Sequence, residues 1–563
     1  MRRKAYCGLG IVVILAAYAE TASFSKQVPT EDRIRQALNR LTFGPRAGDS
    51  DQVKAVGLKK WIDLQLHPER IPENPVLIEK LKPLDTLTMS SKELVRNYPG
   101  PGIVKQMVAG QVPFPSDPDR RLMIQKMVKK DGAKQGDTAA APEAPIQEKL
   151  ADLLTPDEVH SVRTGTPQER LAVLEALPHE KQDEVIGALP QGMRQGIFAV
   201  APPDLRRRIE FTGGPEQVIA RDLQEGKILR AVYSKRQLEE VLTDFWFNHF
   251  NVFLDKGADH YLTTEYEREA IRPHVLGKFR DLLEATAKSP AMLFYLDNWE
   301  SVGPSTPAAF AGVPKGPRKG LNENYGRELL ELHTLGVDGG YTQKDVTEVA
   351  RCFTGWSIDK PNLGGGFRFA ERQHDLGEKI VLGVRIPPGG GEKDGEKVLD
   401  IVARHPSTAH FISKRLAQRF LADDPPAALV ERMAQTFLKT DGDIRAVMHT
   451  MIESKEFWSE GAYQSKMKSP LEVVVSAVRA SNGNVDFAQA LVNQVAQLGE
   501  PLYRKIEPTG YSNTSREWMN TAGLMARMNF AVQLSGNKVP GVVVDQTGAS
   551  TDMALGSPEF QKR

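Results

Sequence analysis

Cysteine is almost absent from this chain of 563 residues. The two cysteines are Cys7 and Cys352. Cys7 lies inside a predicted export signal, so a mature protein would keep only Cys352, and one thiol cannot form an intrachain disulfide. The sequence therefore excludes a small disulfide-stapled fold. With 40% hydrophobic residues, a chain of this length can be stabilised by the packing of a large core.

A surplus of charge of one sign is also lacking. Lys and Arg total 73, Asp and Glu total 72, and the formal net charge is +1. No global basic excess indicates nucleic acid binding. The length corresponds to about three or four domains of ordinary size, or to one extended helical domain with insertions.

The common catalytic motifs are missing as well. The sequence contains no His-Glu-x-x-His, Gly-x-Ser-x-Gly, Cys-x-x-Cys, Walker loop or Rossmann glycine pattern. This excludes motif-based assignment to the commonest zincins, hydrolases and nucleotide enzymes. Four-helix di-metal sites use Glu-x-x-His pairs, whereas this chain has Glu328-x-x-Glu331.

Long apolar runs are confined to the N-terminus. Arg2-Arg3-Lys4 precede an apolar run from Ala5 to Ala19 that ends in the small-x-small pattern Ala17-Tyr18-Ala19. This pattern is typical of a secretory signal peptide, and the run is shorter than the roughly 20 residues that span a bilayer. We predict that residues 1–19 are a cleaved signal peptide. The mature protein would be periplasmic or extracellular, with no transmembrane anchor.

Helical periodicity dominates the rest of the chain and predicts a mainly α fold. The predicted architecture is a multi-helix globular domain with a small β-hairpin excursion and an inserted array of short helices. The predicted parts are 20–130 as the N-terminal helical part of the main domain, 131–214 as a linker and insertion, 215–535 as the main helical domain, and 536–563 as a C-terminal tail.

Proline and glycine locate the insertion and the hairpin. Prolines recur about 12 residues apart at Pro167, Pro178, Pro190 and Pro202, each opening a short amphipathic run. Proline suits the first helical turn, so this spacing indicates a row of short stacked helices. One β-hairpin is predicted near 364–383, where Phe367-Arg368-Phe369 and Lys379-Ile380-Val381-Leu382 flank a polar turn around His374.

The helix predicted at 235–252 carries a narrow polar stripe. Glu240, Asp244, Asn248 and Asn251 share one side, while aromatic and aliphatic residues occupy nearly everything else. The stripe could line a cleft, or it could be a solvent-facing strip or a satisfied structural network. His249 projects from the apolar face, where a hydrogen-bonded core histidine is commoner than a ligand or a base.

A second predicted helix, 322–335, places Asn324, Arg327, Glu328 and Glu331 on one side and His333 within the apolar face. A third is predicted to begin at Thr342 with a capping box and to run to about Thr354, with Arg351 on its outer face. The charged sides of these two helices could face solvent and carry surface ion pairs.

The charged residues of the predicted helices could also form a catalytic site. In this interpretation Asp244, Glu328, Glu331 and His374 are acid and base residues or hold a cation, and His374 is delivered by the hairpin turn. The candidate ligand-binding residues are Asn248, Asn324, Arg327, Arg351 and Asp375. The spacing leaves any metal or cofactor unknown.

Two segments carry most of a resemblance to a known family, Leu321 to Trp356 and Asp244 to Val252. Further matches are the run from Leu293 to Ser301, His374-Asp375 with Gly377 and Lys379, His405 to Ala409, Lys468 to Glu472, and Gly510-Tyr511. In these segments the chain resembles the bacterial family called domain of unknown function 1800. The resemblance implies a mainly helical, exported bacterial protein and assigns no catalytic residues. It also implies a working partner, a sulfatase-like exported protein of the domain of unknown function 1501 family.

Two functions therefore remain open from the sequence. The first is an accessory or binding protein that acts with a sulfatase-like secreted hydrolase on an extracellular polymer. The second is a hydrolase in its own right that uses the carboxylate and histidine group. Convergence of those side chains in one pocket, with few ion-pair partners, would favour the hydrolase.

Overall fold

The computed structural model describes residues 24–136, 150–304, 306, 320–519, 521–544 and 551–563. Within them it contains 27 α-helices and three two-stranded antiparallel sheets, which confirms the predicted mainly α fold. The predicted signal peptide, 1–19, lies outside the described residues. No helix in the described ranges is long and apolar enough to cross a membrane.

The helices up to the end of the insertion are short apart from α7. In chain order they are α1 (Arg33–Leu41), α2 (Asp49–Val56), α3 (Leu58–Leu66), α4 (Pro75–Leu81), α5 (Ser91–Asn97), α6 (Pro101–Val108), α7 (Pro118–Gly136), α8 (Pro156–Thr164), α9 (Pro167–Ala176), α10 (His179–Ala188), α11 (Gln191–Val200) and α12 (Pro203–Gly213).

The remaining helices form most of the predicted main domain. They are α13 (Pro215–Tyr233), α14 (Gln237–His249), α15 (Asp259–Glu265), α16 (Phe279–Ala287), α17 (Pro290–Tyr295), α18 (Asn324–Glu328), α19 (Gln343–Phe353), α20 (Lys393–Ala403), α21 (Pro406–Phe420), α22 (Ala427–Lys439), α23 (Ile444–Ile452), α24 (Pro470–Ala480), α25 (Gln489–Gln497), α26 (Thr521–Ser535) and α27 (Thr551–Gly556). Two π-helical turns, Tyr266–Ile271 and Leu329–Thr334, directly follow α15 and α18.

The chain divides into two compact units. The first comprises the described residues of Met1–Glu79, Lys227–Pro361 and Gly365–Arg563, and the second comprises those of Lys80–Gly226 and Asn362–Gly364. The second unit contains the proline-phased helices but extends beyond 131–214 at both ends. Separate folding of 131–214 stays a prediction.

The short helices α8 to α12 share a hydrophobic core of their own. Its buried members run from Leu150 to Ile209 and include Leu174, Val185 and Ile197. Pro167 occupies the first turn of α9, as predicted. Pro178, Pro190 and Pro202 instead lie one residue before their helices, at the N-cap, where proline's fixed φ fits the extended conformation required.

The predicted strands exist, but their predicted pairing is wrong. Phe367–Phe369 (β2) pairs with Trp356–Ile358 (β1), and Lys379–Val381 (β3) pairs with Val384–Ile386 (β4). The tight turn is Leu382-Gly383, where both residues have positive φ, the geometry of a two-residue hairpin loop. His374 and Asp375 are buried, and their segment does not form the turn of a hairpin. A third pair joins Asn484–Val485 (β5) in the predicted main domain to Val542–Val543 (β6) in the predicted C-terminal tail.

The helices of the central motif pack closely. Thr342 and Asp345 form the predicted capping box of α19. Gly326 of α18 lies against the α19 backbone, where an added Cβ would be 3.1 Å from both Ala350 N and Val346 O. A larger residue would force the two backbones apart by a few tenths of an ångström, so glycine favours this close packing of α18 on α19.

Candidate functional site

A small polar pocket lies in the first unit; we call it the ion-lined pocket. It has about 50 Å³ of space for the centres of water-sized molecules, enough for a few waters or one small ionic group. The lining residues are Lys227, Asp244, Phe245, Phe247, Asn248, Asn251, Arg419, Lys466, Met467, Ser469, Glu472, Glu500, Leu502, Tyr503, Tyr511, Ser512, Asn513, Trp518 and Arg563.

Three of the four residues of the predicted polar stripe, Asp244, Asn248 and Asn251, line this pocket, whereas Glu240 ion-pairs with Arg272. Phe245 and Trp246 of α14 are buried in the core, which turns Asp244 and Asn248 toward the pocket. Asn248 then holds the opposite loop: its Nδ2 donates to Tyr511 O at 2.8 Å, and Tyr511 N donates to its Oδ1 at 2.6 Å. Gly510 precedes that contact with φ of 67°, and a Cβ there would be 2.1 Å from Asn248 O. Glycine is therefore required for the loop to approach α14.

The start of α24 forms a second wall. Ser469 is the N-cap and Glu472 is the third residue of a capping box. Glu472 also ion-pairs with Arg419 of α21 and lies 2.9 Å from Arg563 Nη1. Burial alone would favour the neutral acid, but Arg419 and Arg563 outweigh it and lower the pKa of Glu472 to about 2.

Asp244 is neutralised by cations. Its carboxylate is 2.9 Å from Lys227 Nζ and 3.7 Å from Arg419 Nη2. Although burial opposes it, Asp244 raises the pKa of Lys227, so the lysine stays charged.

Glu500 differs from the other two pocket carboxylates. Its Oε2 accepts a hydrogen bond from Leu471 N at 2.8 Å, and no ion pair involves it among the described residues. Burial, with repulsion from Asp244, raises the pKa of Glu500 to about 7. Glu500 is therefore the pocket carboxylate that exchanges a proton near neutral pH.

Glu328 and Glu331 lie outside the residues that line the pocket. Burial, followed by repulsion from Glu331, raises the pKa of Glu328, and Tyr341 Oη donates to Glu331 Oε2 at 3.4 Å. On the same element Arg327 donates to Gln343 and Asn324 donates to Leu296 O. These four predicted residues form one polar side of α18 and the following π-helical turn.

His374 and Asp375 belong to a third group. His374 is fully buried, with Nδ1 2.8 Å from Thr354 O and Nε2 3.1 Å from Asp394 Oδ2. Asp375 accepts two hydrogen bonds from Arg351, at 2.9 and 3.2 Å. Such a satisfied buried network orders the β2–β3 connection and leaves His374 inaccessible to a substrate.

The predicted catalytic residues thus fall into three groups. No hydrogen bond or ion pair between described residues joins Asp244, Glu328 and His374. In the described ranges no three His, Cys, Asp or Glu side chains are arranged to hold a metal ion. The structure places Asp244 and Asn248 together and adds residues that the spacing analysis did not select, namely Lys227, Arg419, Lys466, Glu472, Glu500, Tyr503 and Arg563.

A signal for the missed residues was present in the segments that carry the family resemblance. Asp244 to Val252, Lys468 to Glu472 and Gly510-Tyr511 are far apart in sequence, yet all three contribute to the ion-lined pocket. Lys227, Arg419 and Arg563 lie outside those segments, and their role depends on tertiary contacts alone.

Comparison with known proteins gives a family and no function. No curated protein and no solved structure matches the chain. The family model described as "Protein of unknown function (DUF1800)" matches residues 36–559, nearly the whole chain, which confirms the resemblance predicted from the sequence. The chain belongs to this family.

Proposed function

We propose that this protein is an exported accessory or binding protein that works with a sulfatase-like secreted hydrolase of the domain of unknown function 1501 family on an extracellular polymer. The observation that carries the proposal is the pairing of charges in the ion-lined pocket. Asp244 and Glu472 are both held by cations. Paired charges orient a ligand, whereas general acid–base hydrolysis needs carboxylates that can reach the scissile bond.

The rest of the lining supports recognition of a polar ligand. Asn248, Ser512 and Asn513 supply neutral polar groups, and Tyr511 and Trp518 supply flat apolar surface. A concave site with a few convergent polar groups beside aromatic rings is typical of small-ligand binding. The pocket is small, so it would hold one group of a polymer instead of a run of its units.

Glu500 favours one alternative, a hydrolase in its own right. A carboxylic acid with a pKa near 7 in a pocket is suited to donate a proton to a leaving group. In this alternative Glu500 and Asp244 replace the predicted group of Asp244, Glu328, Glu331 and His374 as the acid and base.

The two functions are separated by assaying the full mature chain with and without the sulfatase-like partner. For an accessory protein we expect a stable complex, several-fold faster sulfate release from a sulfated polysaccharide by the partner, and no product from the chain alone. Absence of a complex and of any rate change would contradict the proposal. Product release by the chain alone, lost in Glu500→Gln but kept in the exposed control Glu431→Gln, would establish the hydrolase.

Export is tested by N-terminal sequencing of the protein recovered outside the cytoplasm. The sequence should begin at Glu20 or within a few residues of it, because the signal peptidase pattern ends at Ala19. Recovery of the intact Met1 form from the cytoplasm would contradict export and, with it, the proposed site of action.

A further inference from the structure

Buried cations outnumber the carboxylates around the ion-lined pocket. Besides the lining cations Lys227, Arg419, Lys466 and Arg563, three further cations are buried just behind it: Arg40, Lys468 and Arg527. The buried or lining carboxylates are Asp244, Glu472 and Glu500, with Asp423 2.5 Å from Lys466 Nζ. These seven basic groups outnumber the four carboxylates, and one group of each kind, Lys468 and Glu500, has a pKa of about 7.

The three cations behind the pocket have only neutral partners. Lys468 Nζ donates to Ser476 Oγ at 3.0 Å and lies 3.7 Å from the centre of the Phe560 ring. Arg527 donates to Gln561 Oε1 and Lys468 O, and Arg40 donates to Ala462 O and Ser465 Oγ. No ion pair between described residues involves any of the three.

Some buried donors are left unused. Arg563 is 3% exposed and lines the pocket, yet its Nε has no hydrogen-bond partner and its Nη1 has only the ion-pair contact with Glu472. Arg40 is fully buried, and its Nε and Nη1 have no hydrogen-bond partner in the described structure. An unpaired buried guanidinium donor costs free energy unless a ligand or water accepts from it.

Burial is the first cause of a lowered pKa for three of these basic groups. Burial, with repulsion from Arg563, lowers the pKa of Lys466 to about 8. Burial lowers the pKa of Lys468 to about 7 and that of Arg40 to about 9. Cations crowded in this way attract an anion from solution.

We propose that the ion-lined pocket binds a small oxyanionic group of the sulfate or phosphate type, held by Arg563, Lys466 and Arg419. Asn513 and Ser512 complete the polar lining, and Tyr511 and Trp518 contact whatever carries the group. Arginine pairs well with tetrahedral oxyanions because its planar fork donates two parallel hydrogen bonds. This anion site rests on the proposed function and makes it more specific. The group of the polymer that the protein recognises would be a sulfate or phosphate ester.

The charges facing Glu500 give the site a definite pH dependence. They are Asp244, Glu472, Lys227, Arg419 and Arg527, with the neutral Tyr511 beside them. Ionised Glu500 repels a bound anion, and Lys466 attracts it only when protonated. Both effects favour binding at lower pH.

Inorganic sulfate is the probe, because it does not titrate in this range. Calorimetric titration of the full mature chain at constant ionic strength should show roughly tenfold tighter sulfate binding at pH 6 than at pH 8.5. Inorganic phosphate and a sulfated monosaccharide form parallel arms, which separate a free ion from an ester-borne group. Acetate tests whether a carboxylate suffices. No sulfate binding at pH 6 beyond that of equimolar chloride would overturn the proposal.

Three variants make the test specific. Glu500→Gln keeps the side-chain volume and can still accept from Leu471 N, so at pH 8.5 it should bind sulfate more tightly than the unmodified chain does and keep only the part of the pH dependence that Lys466 contributes. Glu431→Gln, on the exposed side of α22, should keep the full pH dependence. Lys466→Met should weaken sulfate binding at least tenfold, and if it fails to fold, Glu500→Gln alone decides. An unchanged pH profile in Glu500→Gln would overturn the assignment to this pocket.

The outcomes distinguish this inference from the proposed function. Capture of the sulfatase-like partner without sulfate binding overturns the anion site alone. Sulfate binding without partner capture or rate change overturns the accessory role alone.

Discussion

His333 is a neutral packing residue in the core of the first unit. It is 1% exposed, its Nε2 has no hydrogen-bond partner in the described structure, and burial lowers its pKa to about 3. His249 lies beside it, with Nε2 3.0 Å from His333 O. Burial, helped by repulsion from Arg415, holds the pKa of His249 well below its usual range. Both rings therefore fill space as uncharged groups, as the sequence predicted for the apolar face.

These lowered pKa values make stability depend on pH. Below about pH 6.5 the unfolded chain protonates these histidines while the folded chain does not, so the free energy of unfolding falls by roughly 1.4 kcal/mol per pH unit for each. Urea unfolding between pH 6.5 and 4.5 should show this loss. His333→Leu should reduce the slope, and the exposed control His449→Leu should leave it unchanged.

His333→Ala should cost about 2 to 4 kcal/mol at pH 7 because it opens a cavity.

Glu328 carries an unfavourable charge. Its pKa is raised by burial and by Glu331, so at neutral pH the ionised side chain destabilises the folded state. Glu328→Gln should therefore raise the free energy of unfolding, by about 0.5 kcal/mol after screening by solvent. Thermal melts with and without Ca²⁺ check this, with Glu431→Gln as control. A melting temperature of the unmodified chain that rises with Ca²⁺, and a rise abolished in Glu328→Gln, would instead make Glu328 a cation ligand.

At this scale the sequence predicted the pocket only in part. Helical periodicity placed Asp244 and Asn248 on one stripe, because spacing within a helix is local information. It could not bring Arg419, Glu472, Glu500 and Arg563 to that stripe, since their approach depends on how four distant segments pack. Glu328 was grouped with Asp244 only because both are carboxylates, and in the fold the two side chains have different neighbours.

Among the elements, the hairpin of β3 and β4 depends on an unusual turn. Leu382 and Gly383 have φ of 49° and 77°, and an added Cβ at Gly383 would meet nothing within 4 Å. Gly383→Ala should therefore cost about 1 kcal/mol through backbone strain alone. Gly366 has the same open space without a positive φ, so Gly366→Ala is the matched control and should cost less than about 0.5 kcal/mol. Equal effects in urea unfolding would contradict the turn assignment.

Sequence patterns predicted these elements better than their pairing. The helices α14 and α19 were expected from periodicity and a capping box, and both strand segments of the predicted hairpin were located. The predicted pairing was wrong because a polar stretch with glycine resembles a turn. In the structure His374 is buried and hydrogen-bonded to Thr354 and Asp394. The true turn has leucine where asparagine or glycine is usual, so its composition gave no signal.

At the scale of the whole molecule, the second unit offers a test of independent folding. All buried members of its separate core, from Leu150 to Ile209, lie within 131–214. Deleting 131–214 would remove that core intact and should leave the first unit folded. The remainder would lose several contacts, among them that of Tyr98 with Phe211. The largest loss is at Asp222, which is 2% exposed and accepts from Arg207 at both of its oxygens at 2.8 Å.

The deletion therefore predicts a reversal of sign at Asp222. In the full chain Asp222→Asn should destabilise by about 2 kcal/mol, because Arg207 loses its bidentate partner and keeps only the single contacts with Asp85 and Glu210. In the 131–214 deletion the same change should stabilise by about 1 to 2 kcal/mol, because it removes a buried carboxylate that has lost its cation. Urea unfolding of the four proteins measures both effects. Loss of cooperative unfolding in both deletion proteins would mean that 131–214 is required for the fold of the remaining chain, since the unpaired charge of Asp222 could then no longer explain the failure.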